Sequence, residues 1–305
     1  MRVWLYAYQG PGAGTRRLVG LAKAVERHGF DGLILAAPGP RRSNVHSARF
    51  GRDDAWAAVA AMARGTRRLR LGILLQPAHL AVPAQVAVAA AALDRRSGGR
   101  LEIGLAAVRV DSGPAGGLLP PMNEGFTRLD ETLAVITGLW WTPPGERFTF
   151  TGRYHTVLNH PAAVPAQRPG PPLIISGPGR HTTSYLAARW ADEVNVPFRG
   201  LDHTVRQYWD ADDASARPER RPPDRAPLGR SVALALPPAS APHRRADDTL
   251  FEALATLGQY QAIGTDRVYL RLPDGADRRC LDLLAQRILP AFHGTAGPAA
   301  PPHTC

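Results

Sequence analysis

The chain has 305 residues, 44% of them hydrophobic and 21% charged, which suits a single large globular domain. No apolar run approaches the roughly 20 residues of a membrane span, and the N-terminus has no signal-peptide pattern, so a cytoplasmic protein that engages no membrane is expected. The formal charge of +11 comes from arginines scattered in pairs such as Arg16 and Arg17, with Lys23 the only lysine. That pattern lacks the clustered stripe that grips nucleic acid, and Cys280 and Cys305 have neither disulfide nor metal-ligand spacing.

Strand-like and helix-like stretches alternate from the start. A strand over Val3 to Tyr8 precedes a helix from Leu18 to His28, which Gly29 stops. A second strand, Gly32 to Ala36, is followed by a helix beginning at Asp54. The third strand, Leu69 to Leu75, ends at Gln76-Pro77 and leads to a helix from Val82 to Arg95, closed by Ser97 to Gly99. The fourth, Leu101 to Ala106, opens into a glycine- and proline-rich loop from Val108 to Asn123 and then a helix from Glu124 to Trp141.

Phe148 to Leu158 alternates like a hairpin. The fifth strand is Pro172 to Ile175, with a helix from His181 to Trp190. The sixth is Asp192 to Val196, with a helix from His203 to Ala214. Arg217 to Arg230 reads as an exposed loop or linker. The seventh strand, Ser231 to Leu236, a helix from Asp247 to Tyr260, the eighth strand, Arg267 to Leu272, and one last helix from Arg278 to Phe292 complete the series. Eight strand-then-helix units predict one α/β domain, a (β/α)₈ TIM barrel over residues 1–293, with insertions near 108–123, 142–170 and 215–230 and a flexible tail over 294–305.

Four segments carry a family resemblance: LAKAVERHGFDGLIL (Leu21 to Leu35), DAWAAVAAMARGTRRLRLGILLQP (Asp54 to Pro77), VPAQVAVAAAALDRRSGGRLEIGLA (Val82 to Ala106) and PPLIISGPGRHTTSYLAARWADEVNV (Pro171 to Val196). The chain resembles the luciferase-like superfamily of flavin- and deazaflavin-dependent oxidoreductases. The resemblance implies a cofactor, F420 or alternatively FMN. It implies one of two reactions: reduction of an electron-poor C=C or C=N bond by reduced F420, on a small molecule or a modified peptide residue such as a dehydroamino acid, or an FMN-dependent monooxygenation. A third reading is a barrel paralogue that has lost catalysis and serves as a binding subunit. A homodimer is the implied assembly.

In such a barrel the active site lies at the C-terminal ends of the strands. The turn Ser176, Gly177, Pro178, Gly179, Arg180, His181 and Thr182 joins a strand to a helix, where backbone N–H groups either bind a cofactor phosphate or simply make a capped βα turn. Leu74, Leu75 and Gln76 end the third strand, where relatives commonly press a bulged or strained peptide on the cofactor ring; the alternative is a buried strand end. His79 and His46 are candidate proton carriers or rim histidines. Glu124 and Arg128 read either as site residues or as a helical ion pair. Relatives often place an acidic residue or histidine after the second strand and Gly-Ala-Gly after the fourth; here Ala36-Ala37-Pro38 and Leu105-Ala106-Ala107 stand there. The loop from Val108 to Asn123 is expected to close over substrate.

Overall fold

Apolar runs of four to seven residues, too short for helices and bounded by turn residues, form the strands. The amphipathic stretches between them form the helices. The computed structural model describes residues 1–8, 14–36, 55–76, 82–106, 122–217, 225–236, 246–271 and 278–293. In chain order the elements are β1 (Arg2–Tyr8), α1 (Thr15–Arg27), β2 (Gly32–Ala36), α2 (Ala55–Gly65), β3 (Arg70–Leu75), α3 (Pro83–Ser97), β4 (Leu101–Ala106), α4 (Met122–Trp141), β5 (Arg147–Thr151), β6 (Thr156–Pro161), β7 (Leu173–Ser176), α5 (Arg180–Trp190), β8 (Glu193–Pro197), α6 (Leu201–Ser215), β9 (Gly229–Ala235), α7 (Ala246–Ala262), β10 (Arg267–Arg271), α8 (Arg278–Arg287) and α9 (Leu289–His293).

Among the described residues, β1, β2, β3, β4, β7, β8, β9 and β10 pair in that order, all parallel, and β10 closes back on β1. Closure leaves no sheet edge and forces each strand to bury both faces, so β2, β3 and β4 read as nearly unbroken apolar runs. Residues such as Val3, Leu5, Leu33, Leu71, Ile73 and Ile103 face outward against the helices, where they join Leu18, Val25, Val59, Met62 and Leu133 in the larger core. The alternate set, Trp4, Ile34, Leu74, Ala106, Ile174, Ala233 and Tyr269, packs inside the barrel. The β5–β6 hairpin stands outside the barrel between α4 and β7.

Three carboxylates fasten loops that the sequence leaves unplaced. Glu26 Oε1 accepts the backbone N–H groups of Arg67, Arg68 and Leu69 at 2.8, 2.7 and 2.9 Å. Glu131 does the same for Arg153, Tyr154 and His155, and Asp94 for Ala166 and Gln167. Burial opposes the charge on Glu26 and Glu131, yet the N–H donors outweigh it and hold both carboxyls below their usual range.

Two expectations need correction. The last helix breaks at Ile288, because Pro290 has no N–H to donate to the Gln286 carbonyl and its ring crowds that carbonyl; α8 and α9 are the result. Part of the expected exposed loop from Arg217 to Arg230 is also pinned: Arg225 donates to the carbonyls of Arg189 and Trp190 at 3.2 and 2.6 Å, capping the end of α5.

Candidate active site

Strand alternation sorts the barrel interior into levels. The lowest, at the N-terminal ends of the strands, is ionic. Arg267, 4% exposed, donates to Glu102 at 2.5 Å, and Glu102 also accepts from Arg70 at 2.6 Å. The Nε of Arg267 lies 3.1 Å from Glu193 at an angle that makes a charge contact without a hydrogen bond. The Tyr269 hydroxyl donates to Glu193 at 2.8 Å, and Trp4 offers its ring face to the Arg267 guanidinium at 4.5 Å. Burial raises Glu102, but the charges of Arg267 and Arg70 outweigh it and hold the group down. For Glu193 burial, together with the neighbouring Glu102, wins over Arg267 and pushes the carboxyl up.

Above this level the ring of Tyr269 forms the floor of a small hollow. Its walls are Tyr6, Ile34, Leu74, Ile174, Ser176 and Asn195. Three inward residues near the strand ends are alanines, Ala36, Ala106 and Ala233, so the barrel fills with side chains below and opens above. Ser176 Oγ donates to Asn195 Oδ1 at 2.8 Å, and Asn195 Nδ2 donates to Ser231 at 2.9 Å, which ties β7, β8 and β9 together at the base of the hollow. Burial pushes the Tyr6 phenol up to about 12 against the opposing charge of Arg271, so at neutral pH it keeps its proton. Its ring meets Phe198 edge-on at 5.7 Å.

The Ser176–Thr182 turn stands beside this hollow. Its carbonyls are taken from behind by α6: Gln207 donates to the Gly177 oxygen at 2.8 Å, and His203 Nε2 lies 3.0 Å from the Pro178 oxygen. The first helical bond of α5 runs from Thr183 N–H to the Gly179 oxygen at 2.8 Å, so the N–H groups of Arg180, His181 and Thr182 precede the hydrogen-bonded ladder. Gly179, the N-cap, supplies no side-chain cap, and a Cβ there would lie 2.6 Å from Thr182 Oγ1. Thr183 Oγ1 is buried without a hydrogen-bond partner. Uncapped N–H groups, hydroxyls and the positive end of the helix dipole fit a phosphate group.

The structure thus brings Ser176, Gly177, Pro178, Gly179 and Thr182 together at one helix start. Arg180 is oriented differently from the expectation of an arginine facing phosphate: its guanidinium makes a two-bond pair with Asp210 at 2.7 and 3.0 Å and ties α5 to α6. Leu75 is 1% exposed and turns outward into the helix layer, because it follows Leu74 by one residue and strand side chains alternate; Leu74 faces the hollow. Gln76 follows it at the strand end, and the cis peptide among the described residues is Arg168–Pro169, away from β3. Arg128 makes no described ion pair with Glu124; it lies over the Tyr154 ring at 5.2 Å. His46, His79 and most of the loop expected to act as a lid fall in 37–54, 77–81 and 107–121, outside the described residues.

Tyr6, Phe198, Arg271, His203 and Gln207 were missed as functional candidates. Period-two spacing from Trp4 would have found Tyr6, but sequence does not say which face of a doubly buried strand points inward.

Fold and site define a (β/α)₈ barrel whose open end is a small hollow lined, among the described residues, by uncharged side chains, next to a glycine-started helix. The chain belongs to the luciferase-like monooxygenase family, which it matches over residues 2–279. It is similar to the F420-dependent glucose-6-phosphate dehydrogenase of Nakamurella multipartita, with 31% identity over 185 residues, 59% of this chain and 51% of that protein. F420-dependent glucose-6-phosphate dehydrogenase 2 of Rhodococcus jostii is 25% identical over 254 residues, 81% of this chain and 72% of that protein. The chain spans about half the length of the first of these relatives.

Among solved structures, a monooxygenase from Streptomyces bottropensis superposes with a TM-score of 0.70 at 18% identity, covering 96% of this chain and 100% of that one. The F420-dependent tetrahydromethanopterin reductase of Methanopyrus kandleri does so at 0.70 and 15%, covering 95% and 99%. Both likenesses establish the fold. Among the described residues no helix is long and apolar enough to cross a membrane, and no cluster of metal-ligating side chains occurs.

Proposed function

We propose that the protein is an F420-dependent oxidoreductase that delivers hydride to an electron-poor C=C or C=N bond of a small molecule or of a modified peptide residue such as a dehydroamino acid. The relatives named as F420-dependent support the cofactor. The observation that carries the reductive direction is the lining of the hollow. Its polar groups among the described residues are Tyr6, Ser176, Asn195 and Tyr269, with no ionised carboxylate or imidazole facing it. Reduction by hydride needs a group that still holds a proton, and Tyr6 does.

When bound, F420 supplies the hydride chemistry. The residues present fit its phosphate through the N–H groups of Arg180, His181 and Thr182 and the hydroxyls of Thr182 and Thr183. Because Arg180 is already neutralised by Asp210, backbone groups and not a guanidinium would meet the phosphate charge. His203 and Gln207 act from behind, holding the turn's carbonyls away from that position. Tyr6 would donate its hydroxyl proton to the reduced atom of the substrate. The apolar walls Ile34, Leu74 and Ile174 keep water from competing for it.

Titration of the purified protein with F420 and with FMN, followed by absorbance and calorimetry, tests the cofactor. Stoichiometric binding of F420 in preference to FMN is expected. Stoichiometric FMN binding without F420 binding replaces this reading by the flavin monooxygenase, and binding of neither replaces it by a non-catalytic barrel.

A further inference from the structure

We propose that Arg271, Phe198 and Tyr6 form an anchoring site at the barrel mouth for a flat organic carboxylate. The proposal deepens the hydride-transfer reading, since it names the class of molecule that the hollow receives.

Arg267, Tyr269 and Arg271 lie two apart on β10, so they share the inward face, and Arg271 is directly paired in register with Tyr6 of β1. The two arginines have opposite fates. Arg267 is sealed between Glu102 and Glu193. Arg271, four residues or about 13 Å further along the strand, is exposed and has no carboxylate partner among the described residues; its guanidinium lies over the face of Phe198, 6.0 Å from the ring centroid. A guanidinium offers a planar fork of N–H donors, which matches a carboxylate with two parallel bonds.

Phe198 supplies a second, independent observation. It follows β8 with φ +52°, the left-handed region that bulky residues avoid, and its N–H is held by the Ala233 oxygen at 2.8 Å. Such a conformation would be unremarkable if it served to bury the ring. Here the ring stays 43% exposed, between the guanidinium of Arg271 and the edge of Tyr6. Strain that yields an exposed aromatic face at a cavity mouth points to a ligand. Ala233 and Ala235, the register neighbours of Tyr269 and Arg271 on β9, leave the space beside that face open. A ligand with its carboxylate on Arg271 and a conjugated body along Phe198 would point its far end toward the Tyr6 hydroxyl and the hollow.

The test is calorimetric titration of the full chain without cofactor, at low salt, using trans-cinnamate, its neutral amide and glucose 6-phosphate as probes. Cinnamate is expected to bind about tenfold tighter than the amide, and Arg271→Gln to erase that difference. Phe198→Gly should weaken cinnamate and the amide alike. Glucose 6-phosphate, which carries charge without a flat body, should bind less tightly than cinnamate. The proposal is overturned if wild type shows no saturable cinnamate binding, if Arg271→Gln leaves the preference for the carboxylate intact, if Phe198→Gly binds cinnamate as tightly as wild type, or if glucose 6-phosphate outcompetes it. None of these titrations contains F420, so their failure is separate from a failure of the cofactor titration.

Discussion

Glu102→Gln removes the negative charge at the centre of the buried ionic level while keeping the shape of the side chain. Glu102 is 2% exposed and touches two cations, one of them, Arg267, only 4% exposed. Removing one partner of a buried pair costs about 3–5 kcal/mol, because the other charge is left in the interior. The structure favours the lower end, since Glu193 also faces Arg267 and is pushed up partly by Glu102 itself. Without that neighbour Glu193 ionises more readily and takes over part of the compensation. An unfolding entropy of about 2.1 cal/mol/K per residue over 305 residues makes each kcal/mol worth roughly 1.6 °C, so Tm should fall by about 5 °C at pH 7.

The pH dependence carries the sign. Glu102 is held below its ordinary value of 4.5, so its contribution is present above that pH and is lost as pH falls through the depressed folded value; the gap between wild type and variant should close there. Glu193 is raised, so its contribution is present below 4.5 and is lost as pH rises through the elevated folded value. Calorimetric melting from about pH 2 to 8 on Glu102→Gln, Glu193→Gln and the double variant measures this. The double variant should cost at least about 1 kcal/mol more than the sum of the singles, because Arg267 then has no counterion. A loss under about 1 kcal/mol for Glu102→Gln, or strict additivity, refutes the reasoning.

Gly32→Ala should lower stability by about 1–3 kcal/mol in urea denaturation, since the new methyl would lie 2.4 Å from the rigid Trp4 indole. Gly179→Val should weaken F420 binding at least about tenfold in calorimetry at a temperature where the apo variant is folded, because its side chain would crowd Thr182 Oγ1 and stand over the uncapped first turn of α5; unchanged affinity removes the turn as the phosphate site. Tyr6→Phe should lower turnover about a hundredfold while leaving F420 affinity intact, and a variant with wild-type kcat would exclude Tyr6 as the proton donor. For Phe198→Gly, relief of about 1–2 kcal/mol of backbone strain and loss of about 0.5–1.5 kcal/mol of aromatic contact nearly cancel, so Tm should stay almost constant.

Much of the barrel was legible because its signals are local. A run such as Leu71 to Leu75 can only be a doubly buried strand at that length, and Gly98, with φ +70°, ends α3 at the place where Ser97 to Gly99 predicted a stop. The glycine turn after β7 was legible for the same reason, since a helix start with no capping side chain is a matter of neighbouring residues. The last helix, expected unbroken from Arg278 to Phe292, is interrupted at Ile288 because the single residue Pro290 outweighs an otherwise helical pattern.

What the sequence determined by itself was therefore the order, type and approximate length of the elements, and through them the parallel barrel. Tertiary structure alone decided which alternate residues face the barrel axis, that Leu74 and not Leu75 meets the hollow, that Arg180 and Arg267 are neutralised while Arg271 has no carboxylate partner among the described residues, and that Tyr6, Phe198 and Arg271 converge. Period and propensity act over a few residues along the chain. Charge pairing and cavity shape depend on which residues closure of the barrel brings within a few ångströms, as it does for Glu102 and Arg267, 165 positions apart.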